Sequence, residues 1–204
     1  MINKILNFAR NNQFIQNLTI NIMTSIPQTI TINLSIIEIL KKAFYYCDLE
    51  SIEGSYFEFG VFKGTSMYAA LNAYNKINKN NIDRNFYGFD SFDHGFKYFD
   101  SKDKHSFFKE GDFIYPFEKV QKRLKKFNNL KLIKGYFEET LSKETSQNII
   151  KSEKCAIAFI DCDLLNPAHL SLSYLKPILQ LGSILIIDDF WLIKDKVIME
   201  LTVL

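Results

Sequence analysis

Cys155-Ala-Ile-Ala-Phe-Ile-Asp161-Cys-Asp163, followed further on by Ser183-Ile-Leu-Ile-Ile-Asp188-Asp189, decides the fold of this chain. Each stretch is a short apolar run that stops abruptly on carboxylates, which is the pattern of a strand buried on both faces. Acids at such strand ends converge on one edge of the sheet, where open α/β folds bind their ligands. A cluster of this kind calls for a divalent cation.

Upstream the pattern recurs as Tyr56-Phe-Glu58-Phe-Gly60-Val-Phe-Lys-Gly64-Thr-Ser66, then Asn85-Phe-Tyr-Gly-Phe-Asp90-Ser-Phe. A strand running into a glycine turn and a helix, followed by a second strand ending on an acid, is how α/β folds hold a nucleoside-like cofactor. The spacing Glu58-x-Gly60-x-x-x-Gly64 is not Gly-x-Gly-x-x-Gly, and a tight turn alone would also need its glycines. Asp90 adds weight, because a carboxylate at the end of the neighbouring strand is placed to grip a ribose diol.

The rest of the chain alternates. Residues 1–33, rich in Asn, Ile and Thr, read as a short helix and then a loop ending at Asn33 as an N-cap. Ile36, Ile39, Leu40 and Ala43 predict a helix of about three turns leading into a strand at Ser55–Phe59. Met67, Ala70, Leu71 and Tyr74 form one face of the helix after Gly64, and 85–89 forms the second strand. Residues 91–115 break periodicity and crowd Phe92, Phe96, Tyr98, Phe99, Phe107, Phe108 and Phe113 among charges; they read equally as a lid or as a cover for the sheet edge. A helix over 116–127, a strand at Leu130–Lys134 and a helix opening with Glu138 and Glu139 follow. After the strand at 155–160, Asn166-Pro167 reads as the N-cap and N1 of a helix faced by Ala168, Leu172, Leu175 and Leu179, closed by Pro177 and Gly182. The alternation implies a Rossmann-like, doubly wound α/β fold, with a mostly parallel sheet and helices on both faces.

Composition narrows the function. The chain has 204 residues, is 47% hydrophobic and carries a net charge of only +2, enough apolar content for a real core and too little charge for a polyanion binder. Its densest basic stretch, Lys119 to Lys126, has helical spacing and reads as a solvated face. Three cysteines of unrelated spacing and no secretory leader point to the cytoplasm. No apolar run reaches the roughly 18 to 20 residues needed to span a bilayer. The sequons at Asn17 and Asn33 therefore read as chance matches in an Asn-rich chain.

Taken together, Glu58-Phe-Gly60-Val-Phe-Lys-Gly64-Thr-Ser66, Tyr87-Gly-Phe-Asp90-Ser-Phe, Gly135-Tyr-Phe-Glu-Glu-Thr-Leu141, Asp161-Cys-Asp163-Leu and Ile187-Asp188-Asp189-Phe resemble, in order, the motifs of the macrocin O-methyltransferase family. The resemblance runs from about 54 to 190. It implies a class I S-adenosylmethionine-dependent enzyme that methylates a sugar hydroxyl of a glycan or secondary metabolite with magnesium. It implies that Gly60, Gly64 and Ser66 lie along the amino-acid part of the cofactor, with Glu58 near its ammonium. Asp90, with Ser91 beside it, would take the ribose, and Gly135 to Phe137 would flank the adenine. Asp161, Asp188 and Asp189 would hold the metal, and Asp161 or Asp163 would take the proton from the acceptor. On this reading 1–53 is an N-terminal helical cap and 54–204 the methyltransferase domain.

The chemistry fits those roles. A sugar hydroxyl does not ionise near neutral pH unaided, whereas magnesium on hard oxygen ligands orients a diol and lowers its pKa. Among the remaining candidates, His94 is the histidine to test as a base, ahead of His105 and His169; Trp191 reads as packing and Cys162 as a small filler.

Departures are Leu165 and Asn166 where the family has an aromatic and an acid, and Leu181-Gly182 in place of Gly-Gly. The class also adds a helix and two strands beyond the Asp-Asp strand, so this chain reads as shortened, with an open edge at 184–187 through which copies could associate. Two alternatives remain: a degenerate methyltransferase fold that binds cofactor or a partner without turnover, and a metal-dependent glycosyltransferase using Asp161-Cys-Asp163.

Overall fold

The structure is a computed structural model that describes residues 8, 11–98 and 109–188. Phe99, His105, Phe107, Phe108, Asp189, Trp191 and the expected final helix lie outside them. The chain forms two compact units, Met1–Ile39 and Leu40–Leu204.

In the first unit, α1 (Gln13–Ser25) is capped by Asn12, whose side chain accepts hydrogen bonds from the Phe14 and Ile15 amides at 3.0 and 3.2 Å. Pro27 then interrupts, and α2 (Gln28–Leu49) begins directly after it. The loop expected up to Asn33 is therefore helix, and Asn33 is an interior residue of it, not a cap. Asn and Thr are only mildly unfavourable inside a helix, while a proline immediately before the first turn forfeits no bond that the helix needs.

In the second unit the C-terminal part of α2 presents Leu40, Ala43, Phe44 and Cys47, all buried, at helical spacing. Five parallel strands follow: β1 (Ser55–Phe59), β2 (Phe86–Asp90), β3 (Leu130–Lys134), β4 (Cys155–Ile160) and β5 (Leu179–Ile187). Their order is β3-β2-β1-β4-β5. Between them run α3 (Thr65–Ile77), α4 (Phe117–Leu124), α5 (Phe137–Thr140), α6 (Glu144–Ser152) and α7 (Leu165–Leu175). The chain winds outward from β1 to β3 and then reverses to β4, so the switch in strand order falls between β1 and β4, where the C-terminal ends of two strands open a crevice.

The unbroken apolar runs are explained by burial: every residue of β1 and of β4 is buried. Aromatic residues pair directly across strands. Phe59 lies opposite Phe89 with ring centroids 5.0 Å apart and planes 8° from parallel, and Phe57 lies opposite Tyr87 at 5.2 Å.

Three local expectations need correction. Leu164, extended, precedes α7, so Asn166 and Pro167 sit inside its first turn, where a missing N–H is harmless. The helix expected from Glu138 onward is two helices, α5 and α6. Gly182 does not close a helix; it lies within β5 at φ 88°, in an irregularity where the pairing passes from Cys155↔Leu179 to Ile157↔Ile184. Among the described residues no helix is long and apolar enough to cross a membrane.

Candidate functional site

The C-terminal edge of the sheet carries the sequence-predicted residues in strand order. Asp90 pairs in register with Lys134, which precedes Gly135. The Gly60 amide donates to the Phe89 carbonyl at 2.9 Å, and the Asp161 amide to the Phe59 carbonyl at 2.8 Å. Ile160 lies opposite Ile187, so the residues that follow, Asp161 and Asp188, emerge side by side. Gly60, Asp90, Ser91, Asp161 and Asp188 are all partly exposed; β1, β4 and β2 up to Asp90 are buried behind them, whereas β5, behind Asp188, is itself partly exposed.

Glu58 is the exception, at 0% exposure. Its carboxyl accepts hydrogen bonds from the Tyr56 hydroxyl at 2.6 Å and from the Ser66 hydroxyl at 2.8 Å. No lysine, arginine or histidine pairs with it among the described residues. Burial pushes its pKa from 4.5 up to about 8, the bonds from Tyr56 and Ser66 oppose that rise, and Asp90 adds to it. A buried acid held by two hydroxyls and the Met67 amide, with no cationic partner among the described residues, is suited to receive a cation.

The two glycines of that turn have structural tasks of their own. A Cβ on Gly60, whose φ is 95°, would stand 1.6 Å from the Asp161 carbonyl oxygen, so the end of β4 crosses directly over it. Gly64, at φ 74°, is the N-cap of α3 and lies against Val120 and Leu124 of α4.

Asp90 is tied to the backbone: its carboxylate accepts the amides of Val61 at 2.7 Å, of Phe62 at 2.8 Å, and of Phe92. Burial raises its pKa, and those three bonds lower it. The Ser91 hydroxyl donates to the Gly95 carbonyl at 3.0 Å. Phe137 is 7% exposed and its ring meets Phe59 edge-on at 5.7 Å, which places it in the core and not along the loop expected to flank an adenine. Its neighbour Tyr136 is the ring that reaches the edge, 5.6 Å from His94 and with the Lys97 ammonium 5.5 Å from its centroid. Tyr136 was legible only as the middle of the Gly135 motif. Phe62 and Tyr115, 5.9 Å apart and both within cation–π range of Lys63, also stand by the turn, and the periodicity of the sequence carries no signal for them.

Of the metal-ligand set, Asp161 and Asp188 are brought together and Asp189 lies outside the described residues. Burial raises the Asp188 pKa. Asp163 sits in the tight turn after Asp161 at φ 58°. Among the described residues no three His, Cys, Asp or Glu side chains come together as a cation site. His94 is exposed, and all three cysteines are buried and outside any disulfide.

No curated protein matches the chain. Solved structures do. A crystal structure of CalS11, described as a calicheamicin methyltransferase, is 21% identical with a TM-score of 0.65, covering 93% of this chain and 76% of that one. An apo structure of CalS11, described as a TDP-rhamnose 3′-O-methyltransferase, gives 20% and 0.57 over the same shares. The O-methyltransferase NovP gives 18% and 0.55, over 74% of this chain and 63% of NovP. At these identities the likeness is one of fold, and it agrees with the doubly wound parallel sheet. The family model described as Macrocin-O-methyltransferase (TylF) matches residues 31–200. That span takes in every strand and leaves the glycosyltransferase reading of Asp161-Cys162-Asp163 without support; the chain belongs to the macrocin-O-methyltransferase family, and is by family an O-methyltransferase.

Proposed function

We propose that this protein transfers a methyl group from S-adenosylmethionine to a hydroxyl of a sugar, on a glycan or a secondary metabolite, with a magnesium ion at the Asp161–Asp188 end of the edge. The observation that carries the reading is Glu58, a fully buried carboxyl beneath the glycine turn that is held by two hydroxyls and the Met67 amide and by no cationic side chain among the described residues. S-adenosylmethionine supplies an electrophilic methyl on a sulfonium and brings an ammonium group, the cation that Glu58 lacks. Ser66, fixed by Glu58, Gly60 and Gly64 follow the amino-acid end. Asp90, Ser91 and Gly135 stand at the level of the ribose, and Tyr136 takes the place beside the adenine that Phe137, in the core, leaves.

Asp161 and Asp188, adjacent hard-oxygen donors with Asp189 next in sequence, are the chemistry a magnesium ion requires, and two like charges side by side are tolerable with a cation between them. The ion would supply Lewis acidity toward a vicinal diol. Asp161 or Asp163 then receives the acceptor's proton as the new C–O bond forms and the C–S bond breaks. The sugar acceptor is supported by the family and by the description of CalS11 as a TDP-rhamnose 3′-O-methyltransferase. On the same reading, 54–204 works as the methyltransferase domain behind an N-terminal cap, in the cytoplasm where its buried thiols stay reduced. Copies would associate along β5, whose Leu181 is fully exposed.

The test is calorimetric titration of S-adenosylhomocysteine with and without magnesium, followed by methyl transfer to a panel of nucleotide-linked and free sugars. Micromolar binding and turnover are expected. Binding without turnover on any acceptor would favour a fold that keeps its cofactor but has lost catalysis. A folded protein that binds neither cofactor nor product would refute the reading.

A further inference from the structure

Asp90 occupies a position where a carboxylate is expected to grip ribose, yet its side chain is committed to the protein. Its Oδ2 accepts the consecutive amides of Val61 and Phe62, in the turn after β1, and its Oδ1 accepts the amide of Phe92, in the turn after β2. Its own carbonyl accepts the Gly135 amide at 2.9 Å, in the turn after β3. A carboxylate has about four lone-pair sites, and three of them are taken. A diol needs two free and aligned.

Phe62 and Phe92 add a second observation. They stand at φ 46° and 51°, in the left-handed region that side chains larger than glycine's avoid. Both donate their amides to this one carboxylate. Charge-assisted bonds of that kind are strong enough to hold a backbone conformation its residue does not favour, and consecutive amides converging on an anion form a stable cradle. Without the carboxylate both turns are free to relax to ordinary backbone, and Gly60 to Gly64 would lose the shape that faces the ligand.

We propose that Asp90 is a positioning residue for the cofactor site: its carboxylate staples the turns after β1 and β2 to one another, and the ribose hydroxyls are held by other groups. The inference rests on the proposed cofactor, and its test has one arm that does not.

In the ligand-free protein, Asp90→Asn replaces one acceptor oxygen with a donor at constant shape. Amide hydrogen exchange at Val61, Phe62 and Phe92 should accelerate on the order of tenfold or more, with Phe159 in the core unchanged. Unchanged exchange at the three amides overturns the staple. In the second arm, S-adenosylhomocysteine and its 2′,3′-dideoxy analogue are titrated into wild type and variant. If Asp90 only positions, removing the hydroxyls weakens binding by the same factor in both proteins. If it grips the ribose, the analogue loses nothing further in the variant, and the proposal fails. Should Asp90→Asn not fold, Asp90→Glu, which keeps the charge but displaces it by a methylene, takes its place in both arms. A wild type that does not bind S-adenosylhomocysteine would refute the cofactor reading, while the exchange arm would still decide the staple.

Discussion

Glu58→Gln should stabilise the ligand-free protein, by an amount that grows with pH. Glu58 is fully buried, and burial carries its pKa from 4.5 to about 8. Between those two values the folded protein holds a proton that the unfolded chain has released, so folding stability falls as pH rises through this window and is level on either side of it. At about 1.4 kcal/mol per pH unit the ionised carboxylate costs the fold on the order of 5 kcal/mol above pH 8, relative to pH 4.5 and below. Glutamine keeps the shape and cannot ionise. Its oxygen still accepts from one hydroxyl, while its amide must donate to the other, a rearrangement worth about 1 kcal/mol.

The difference in unfolding free energy, variant minus wild type, should therefore start near zero or slightly negative at pH 4.5. It should climb to about 3 to 4 kcal/mol at pH 8 and then level off. Urea denaturation of both proteins at half-unit pH intervals measures it, and subtracting the curves cancels the titration of every other group. Tyr56→Phe, which removes the donor at 2.6 Å, should move the upper end of the window to higher pH, because that bond lowers the Glu58 pKa. A difference that stays flat from pH 5 to 8 would mean that Glu58 is ionised and compensated in the folded protein, and the reasoning that makes it a waiting anion would collapse.

Capture of a ligand ammonium at Glu58 should expel its proton, so below pH 8 the calorimetric enthalpy of S-adenosylhomocysteine binding should vary with the ionisation heat of the buffer. Buffer-independent heats would contradict this. Gly60→Ala should lower stability by more than about 3 kcal/mol, since its Cβ would stand 1.6 Å from the Asp161 carbonyl oxygen at φ 95°; a melting temperature within a few degrees of wild type would show that β4 can retreat. Asp188→Asn should abolish any rise in melting temperature on adding magnesium, while leaving the metal-free protein as stable or slightly more so, because burial already disfavours that charge.

Where the sequence was legible, one physical rule dominated. Strands β1 and β4 fall where their apolar runs predict, because both are buried throughout, as Tyr56-Phe-Glu-Phe and Ala156-Ile-Ala-Phe-Ile suggest; β3, also in its expected place, is partly exposed. Helix starts were less legible. Pro27 was a better marker than Asn33, and Leu164 precedes α7 although Asn166-Pro167 carries the residue types of a cap. The spacing of the glycines carries no sign of their close contacts, which are with Asp161 for Gly60 and with Val120 and Leu124 for Gly64. Three-dimensional neighbours of that sort leave no trace in spacing. The same is true of Asp90, whose partners Val61 and Phe62 lie on a different strand's turn, and of Phe137, whose ring the core claims.

The distribution of charge along the edge carries a last consequence. Glu58, Asp90 and Asp188 have no lysine, arginine or histidine partner among the described residues, and Asp161 stands beside Asp188; the nearby Lys134 is taken by Asp93. Buried acids without a cationic partner raise the free energy of the empty site, and binding positive charge lowers it. S-adenosylmethionine carries a sulfonium in addition to its ammonium, whereas the demethylated product carries the ammonium alone. The donor should therefore bind more tightly than the product, and the ratio of their dissociation constants should shrink in Glu58→Gln, where one source of the negative field is gone. Added salt should shrink it less, since buried charges are weakly screened. An equal ratio in wild type and variant would locate the sulfonium beyond the reach of Glu58, and the orientation of the donor along the Gly60–Gly64 turn would have to be reversed.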